Sequence, residues 1–185
     1  VGQGDGTLVV APTGEALLID GGPRDAAGVV RSAISTFARG RLDAVVLSHT
    51  DADHLGALVE LLQGEDGSPG TSDDLTPLAA STYADDGGCD SQLCDDARDL
   101  LAWPFETAQV GDVLPLGDAL VEIVASDGDL GAGQLAGVDG DNERSVVVRV
   151  SFGGRTVLVT GDLTGGGLGD ADLELPLANR IGRVD

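Results

Sequence analysis

Apolar residues fall in short runs divided by Gly-rich turns, and their spacing changes along the chain. GTLVVAP and EALLIDGG are two apolar runs with a Thr-Gly pair between them, which predicts a β-hairpin ending in a Gly turn. In DAAGVVRSAISTFARGR, Val29, Val30, Ala33, Ile34 and Phe37 recur at helical spacing. LDAVVLSH then reads as a buried strand, and HLGALVELLQ as a helix with Leu55, Leu58, Val59 and Leu62 on one face. Residues 1 to 63 are therefore expected to run β-β-α-β-α.

The pattern breaks between about 64 and 96, where GEDGSPGTSDDLTPLAASTYADDGGCDSQLCDD is rich in Gly, Pro, Ser and Asp. Its weak periodicity predicts a long acidic insertion or loop on a single domain spanning 1–185. Strand signals return in DVLPLG and ALVEIVAS. In SVVVRVSFGGRTVLVTGD, Val146, Val148 and Val150 alternate with Val147, Arg149 and Ser151 before Gly-Gly turns the chain into a second hairpin. The remainder, from 163, reads as a Gly-rich loop and a short helix. Strands alternating with helices make the chain α/β.

Composition narrows the picture. With 185 residues and 3% aromatics, the core must be built from Val, Leu, Ile and Ala. No apolar run approaches the roughly 18 residues that a membrane span needs. The formal charge is −22, and every basic residue is Arg. Such an excess repels polyanions and suits a solvated acidic surface. The chain opens without Met, as a trimmed piece would, so a missing targeting segment decides nothing. Cys89 and Cys94 are the only cysteines. They form either a short-loop disulfide of an exported protein, the preferred reading, or two unconnected thiols.

The chemistry concentrates in LSHTDADHLGAL. The chain has two histidines, His49 and His54, with Asp51 and Asp53 between them. Imidazole and carboxylate at a strand's carboxyl end suit zinc, manganese or iron. A helix-capping Asp would explain one of the four side chains but neither histidine. Asp162 in VLVTGDL also ends a strand. There it either caps a turn or bridges two metals about 3.5–4 Å apart.

Together, VGQGDGTLVV, LLIDGG, LSHTDADHLGAL and NERSVVVRVSFGGRTVLVTGDL resemble the metallo-β-lactamase superfamily, and within it the ComEC-type competence-protein hydrolase branch with its exported relatives. The superfamily's H-x-H-x-D-H motif stands here as H-x-D-x-D-H, a variant that branch also uses. The resemblance implies a four-layer αββα sandwich with two divalent metals, zinc or manganese, at the strand ends. His49 and Asp51 would serve one metal, Asp53 and His54 the other, and Asp162 would bridge. Asn142, with Ser145 following, stands where other branches place a histidine and would be a weak ligand or substrate contact. Asp20 of LLIDGG would support the site from behind. The resemblance also places a preceding strand before Val1 and a last histidine motif after Asp185, so the chain is expected to be truncated at both ends.

The expected function is that of a bacterial metal-dependent hydrolase, in which Asp53 orients a metal-activated water and handles its proton. Competence-type relatives suggest nucleic acid or a small phosphodiester as substrate; the charge weighs against tight DNA binding. The alternative is a degenerate, metal- or calcium-stabilised binding module of the same fold. Glu65, Asp66, Asp73 and Asp74 in EDGSPGTSDD resemble a calcium loop without EF-hand spacing, or else are a solvated loop. Calcium and a disulfide would both favour an extracellular or cell-surface location. No protein partner is evident. DGDNERS, from Asp139 to Ser145, either rims the site or is a turn.

Overall fold

The computed structural model describes residues 2–68, 70–72, 74–75, 82–85, 89, 91–100, 105–133, 138–167, 169–182 and 184. Strands β1 (Thr7–Val10) and β2 (Ala16–Ile19) form the expected hairpin. A 3-10 turn at Arg24–Ala26 leads into helix α1 (Ala27–Phe37), followed by β3 (Ala44–Val46) and α2 (Ala52–Gln63). Next come β4 (Thr82–Asp85), α3 (Gln92–Leu100) and β5 (Phe105–Thr107). The antiparallel run is β6 (Val113–Leu116), β7 (Ala119–Ala125), β8 (Val147–Phe152) and β9 (Arg155–Val159). A small ribbon, β10 (Gly165–Gly167) and β11 (Asp170–Asp172), and helix α4 (Glu174–Ile181) complete the chain.

The strands make two sheets, ordered β1-β2-β3-β4-β5 and β6-β7-β8-β9. Side-chain alternation assigns their faces. On the first sheet Leu18 and Val45 pack with Val30, Ile34, Leu55 and Leu58 of the helices, with Cys94 and Ala97 of α3 in the same cluster. Their strand neighbours Leu17, Ile19, Ala44 and Val46 point the other way, onto Leu116, Val121, Ile123 and Val148 of the second sheet. On the far side of that sheet Val124, Ala125 and Val147 meet Leu173 and Leu177 around α4. A register shift between Ile123 and Ala125 marks where β7 turns from one core to the other. The layers are therefore αββα, as the resemblance implies.

Two expectations are corrected. Val29 and Phe37 of α1 are 64% and 68% exposed. A helix buries one i, i+4 stripe, and here it is Val30, Ile34 and Ala38; the stripe through Val29, Ala33 and Phe37 lies about 100° away. The supposed insertion also supplies scaffold. Its strand β4 pairs in parallel with both β3 and β5, and its final part begins α3. Cys89 and Cys94 are joined as a disulfide, which fastens the segment before α3 to its first turn. Asp73 of the calcium-loop reading lies outside the described residues. Among the described residues, no helix is long and apolar enough to cross a membrane.

Candidate metal centre

The centre is built where β2 and β3 end side by side in parallel register, Leu18 beside Val45 and Ile19 beside Val46. The amide of Asp20 continues that ladder by donating to the Val46 carbonyl at 2.9 Å. Asp20 then turns with φ +56°, a left-handed conformation that Asp adopts more readily than most residues. This turn points its carboxylate under the next residues of β3. Ser48 donates its amide to Asp20 Oδ1 and its hydroxyl to Oδ2, both at 2.7 Å, and His54 Nδ1 lies 2.9 Å from Oδ2. Asp20, Ser48, His49 and His54 are all at most 1% exposed.

These bonds fix both imidazole tautomers. A carboxylate only accepts, so His54 donates from Nδ1 to Asp20. The Ser48 proton is committed to Asp20, so at 3.0 Å the Ser48 oxygen accepts from His49 Nδ1. Each ring therefore turns its Nε2 lone pair the other way. Both Nε2 atoms are buried without a hydrogen-bond partner, and the ring centroids are 4.1 Å apart. A buried polar atom left unpaired is costly. Two imidazole lone pairs beside carboxylates are the donor chemistry of a divalent metal site, so the residues present fit that group.

The second sheet brings the carboxylate. Val146, leading into β8, donates its amide to the Ser48 carbonyl at 2.7 Å, and so ties the sheets together at the centre. After β9, Gly161 takes φ +52°; a Cβ there would sit 2.4 Å from Ser48 Cβ. Only glycine permits both the angle and the approach, and the approach carries Asp162 Oδ1 to 3.4 Å from His54 Nε2. Donor atoms of His49, His54 and Asp162 lie within 4.8 Å of one another. Asp162 is 43% exposed and free to adjust.

The remaining residues named from the sequence are placed less uniformly. Asp51 is half-exposed, with Oδ2 3.6 Å from His49 Nε2. Asp53, at the first turn of α2, belongs to neither group of converging donors among the described residues. The structure brings His49, His54 and Asp162 together, with Asp51 beside His49 at the edge of that group. Asn142 and Asp51 line a cleft of about 460 Å³ beside the centre, with Asp139, Asp141, Thr164 and Asp170 around it. Ser145 is buried behind it, with no partner for its hydroxyl. In the acidic loop, Asp66 accepts from the Ser68 amide and Asp74 from the Gly70 and Thr71 amides. Those carboxylates and the exposed Glu65 join no three-donor group among the described residues.

Charge follows the cage. Burial, and then the neighbouring His54, push the His49 pKa below its usual value. Burial acts the same way on His54, but the Asp20 hydrogen bond and the charges of Asp20, Asp162 and Asp53 outweigh it and raise its pKa. Sequence reasoning missed two residues here. Ser48 stands next to His49, yet only the fold shows that its hydroxyl is the common partner of Asp20 and His49. Glu143 is 5% exposed, and its carboxylate accepts from the amides of Asp139, Gly140 and Ala171. It ties one wall of the cleft to the β10–β11 ribbon. DGDNERS showed an acidic stretch but not which acid is buried.

Solved structures share this architecture. The metallo-beta-lactamase fold protein YhfI from Bacillus subtilis is similar over 85% of the chain with a TM-score of 0.52 and 18% identity. A Cronobacter sakazakii metallo-beta-lactamase with a HARLDQ motif is similar over 90%, with a TM-score of 0.51 and 18% identity. The chain spans a little over half of those structures, 55% and 58% of their lengths. No curated protein matches it significantly. The sequence profile of the Metallo-beta-lactamase superfamily matches residues 1–180, and the chain belongs to that superfamily.

Proposed function

We propose that the protein is a metal-dependent hydrolase of a phosphodiester, on the ComEC-type branch of its superfamily. The superfamily consists mostly of metal-dependent hydrolases. The observation that carries the reading is the pair of buried, unpartnered Nε2 atoms of His49 and His54 facing Asp162. His49, His54 and Asp162 would hold the ions, with Asp51 at the edge and Asn142 as a weak oxygen donor. Two divalent ions, zinc or manganese, would supply an acidified water and a Lewis acid for the scissile group.

The chain's own residues do the rest. Asp20 and Ser48 hold both rings through Nδ1, so that each Nε2 is aimed at the ion site. Asp53, on the first turn of α2, orients the attacking water and takes its proton. The cleft beside Asp51 and Asn142 takes the substrate. Its acidic rim and the charge of −22 favour a nucleotide or other small phosphodiester over a DNA duplex. The Cys89–Cys94 disulfide supports an extracellular or cell-surface location. Calcium at the 65–74 loop fits the same setting.

The test is hydrolysis of a generic phosphodiester, a dinucleotide and single-stranded DNA by the chain loaded separately with Zn²⁺ and Mn²⁺. Metal-dependent turnover of the small substrates is expected. Tight metal binding with no hydrolysis of any ester would leave the binding-module reading. Failure to take up either metal would remove both.

A further inference from the structure

The cleft beside the centre has walls of a single charge. Among the described residues its ionisable lining is Asp51, Asp139, Asp141, Glu143 and Asp170, with no basic and no aromatic side chain. Glu143 is spent on the scaffold. Its buried carboxylate accepts from the amides of Asp139 and Gly140 on one wall and from the amide of Ala171 on the other. Those bonds hold Asp139 and Asp170, the neighbour of Ala171, on one cavity. The carboxylates of Asp139, Asp141 and Asp170 have no hydrogen bond or ion pair among the described residues. Carboxylates gathered without a counter-charge repel one another, and a bound cation relieves that repulsion.

The geometry selects the kind of cation. Among the described residues, no three of these carboxylates bring oxygens within 4.8 Å of one another, so the cleft is not shaped to chelate a bare ion. Its volume of about 460 Å³ suits the arm of a small molecule. It also opens on the reaction centre. Asp51 Oδ2 lies 3.6 Å from Nε2 of His49, a fully buried ring whose Nε2 has no hydrogen-bond partner. A quaternary ammonium is typically held on aromatic faces, which this lining lacks, whereas a primary ammonium brings three N–H donors to separate carboxylates. We propose that the cleft binds the ammonium arm of a small phosphodiester, with Asp139, Asp141 and Asp170 as its acceptors. The proposal rests on the hydrolase reading for the phosphate and narrows its substrate class; recognition of the amine rests on the cleft alone.

The experiment compares glycerophosphoethanolamine, glycerophosphocholine and glycerophosphoglycerol, which share one arm and differ in the other. Binding to the full chain without added metal is read by calorimetric titration at low ionic strength, and turnover is read after loading with Zn²⁺ or Mn²⁺. Glycerophosphoethanolamine is expected to bind about tenfold more tightly than glycerophosphoglycerol, with the choline ester between them. Asp139→Asn combined with Asp170→Asn should abolish that preference. Asp99→Asn combined with Asp118→Asn makes the same charge change on α3 and in the β6–β7 turn, and should keep it. Far-ultraviolet spectra check that each variant is folded. Equal binding of all three esters by wild type overturns the proposal. So does an equal loss in both double variants, which would mean general attraction to a chain of charge −22. Choline binding as tight as ethanolamine binding overturns the primary-amine assignment. A binding preference without turnover of any ester supports the amine site and removes the hydrolase reading, while turnover without preference does the reverse.

Discussion

The centre has a floor and a rim, and they are made differently. The floor is Asp20, Ser48, His49 and His54, all at most 1% exposed and cross-linked by four hydrogen bonds of 2.7 to 3.0 Å. The rim is Asp51, Asp53, Asn142 and Asp162, with Asp51 and Asp162 roughly half-exposed. Folding alone fixes the floor, because a buried carboxylate or imidazole is tolerable only when paired. The rim stands on loops and helix starts and keeps more side-chain freedom than the floor. Floor changes should therefore damage stability and metal affinity together, while rim changes should separate chemistry from folding.

The sharpest break is Asp20→Asn. Asn keeps the volume and tolerates the φ of +56°, but it cannot accept the three bonds that converge on the carboxylate. At least one buried donor then lacks an acceptor, and the His54 tautomer is no longer dictated. The expected loss is about 3 kcal/mol in chemical unfolding and 10- to 100-fold in Zn²⁺ affinity. Normal stability with normal metal affinity would show that the floor is not what orients the histidines.

The same division explains what was legible beforehand. The histidines stood out because two of two fall within six residues, a local pattern that survives without knowledge of the fold. The β-β-α-β-α start and the β8–β9 hairpin followed from apolar runs and alternation, while the αββα layering came with the resemblance to the superfamily. What stayed hidden depends on distant partners. Glu143 is buried with an acceptor bond to the Ala171 amide, 28 residues away, which its own acidic stretch does not reveal. Strand β4 sits in a Gly-, Pro- and Asp-rich stretch, and its order comes from parallel neighbours β3 and β5. Asp5 drew no reading of its own from the sequence, because its nearness to His54 and Asp20 depends on the close approach of Gly4 to α2. The α1 stripe was overfilled because adjacent apolar residues fit helical spacing on two faces at once.

On the rim, Asp53→Ala tests the separation. Asp53 is half-buried at the first turn of α2, so its loss costs little stability, about 0.5 kcal/mol from the helix end. If it orients the water and takes its proton, the rate should fall by about 10²-fold or more in metal-loaded protein. Equal rates for Asp53→Ala and wild type would remove it from the mechanism. Asn142→Ala should cost less than Asp53→Ala, because an amide oxygen is a weaker donor than a carboxylate. A larger loss in kcat/KM at Asn142 would make the cleft, rather than the turn, the main source of rate.

Glu143 makes the finest test, because it is a floor-type residue in the rim's wall. Its carboxylate accepts from the amides of Asp139, Gly140 and Ala171, and those bonds hold its pKa below the ordinary value of 4.5. A carboxyl with a depressed folded pKa stabilises the fold when ionised. That contribution is complete above the unfolded pKa and is lost as pH falls through the folded value. Glu143→Gln keeps one acceptor oxygen but gives up the charge, so the expected loss is about 1 kcal/mol, the difference between a charged and a neutral acceptor. The loss should be full at pH 7 and shrink steadily below about pH 4.5, as wild type itself becomes protonated. Chemical unfolding of both proteins from pH 7 down to pH 3 reads this directly. A gap that does not change with pH would mean that shape rather than charge holds this wall. A gap accompanied by unchanged KM for the small phosphodiester would mean that the wall serves folding and not the cleft.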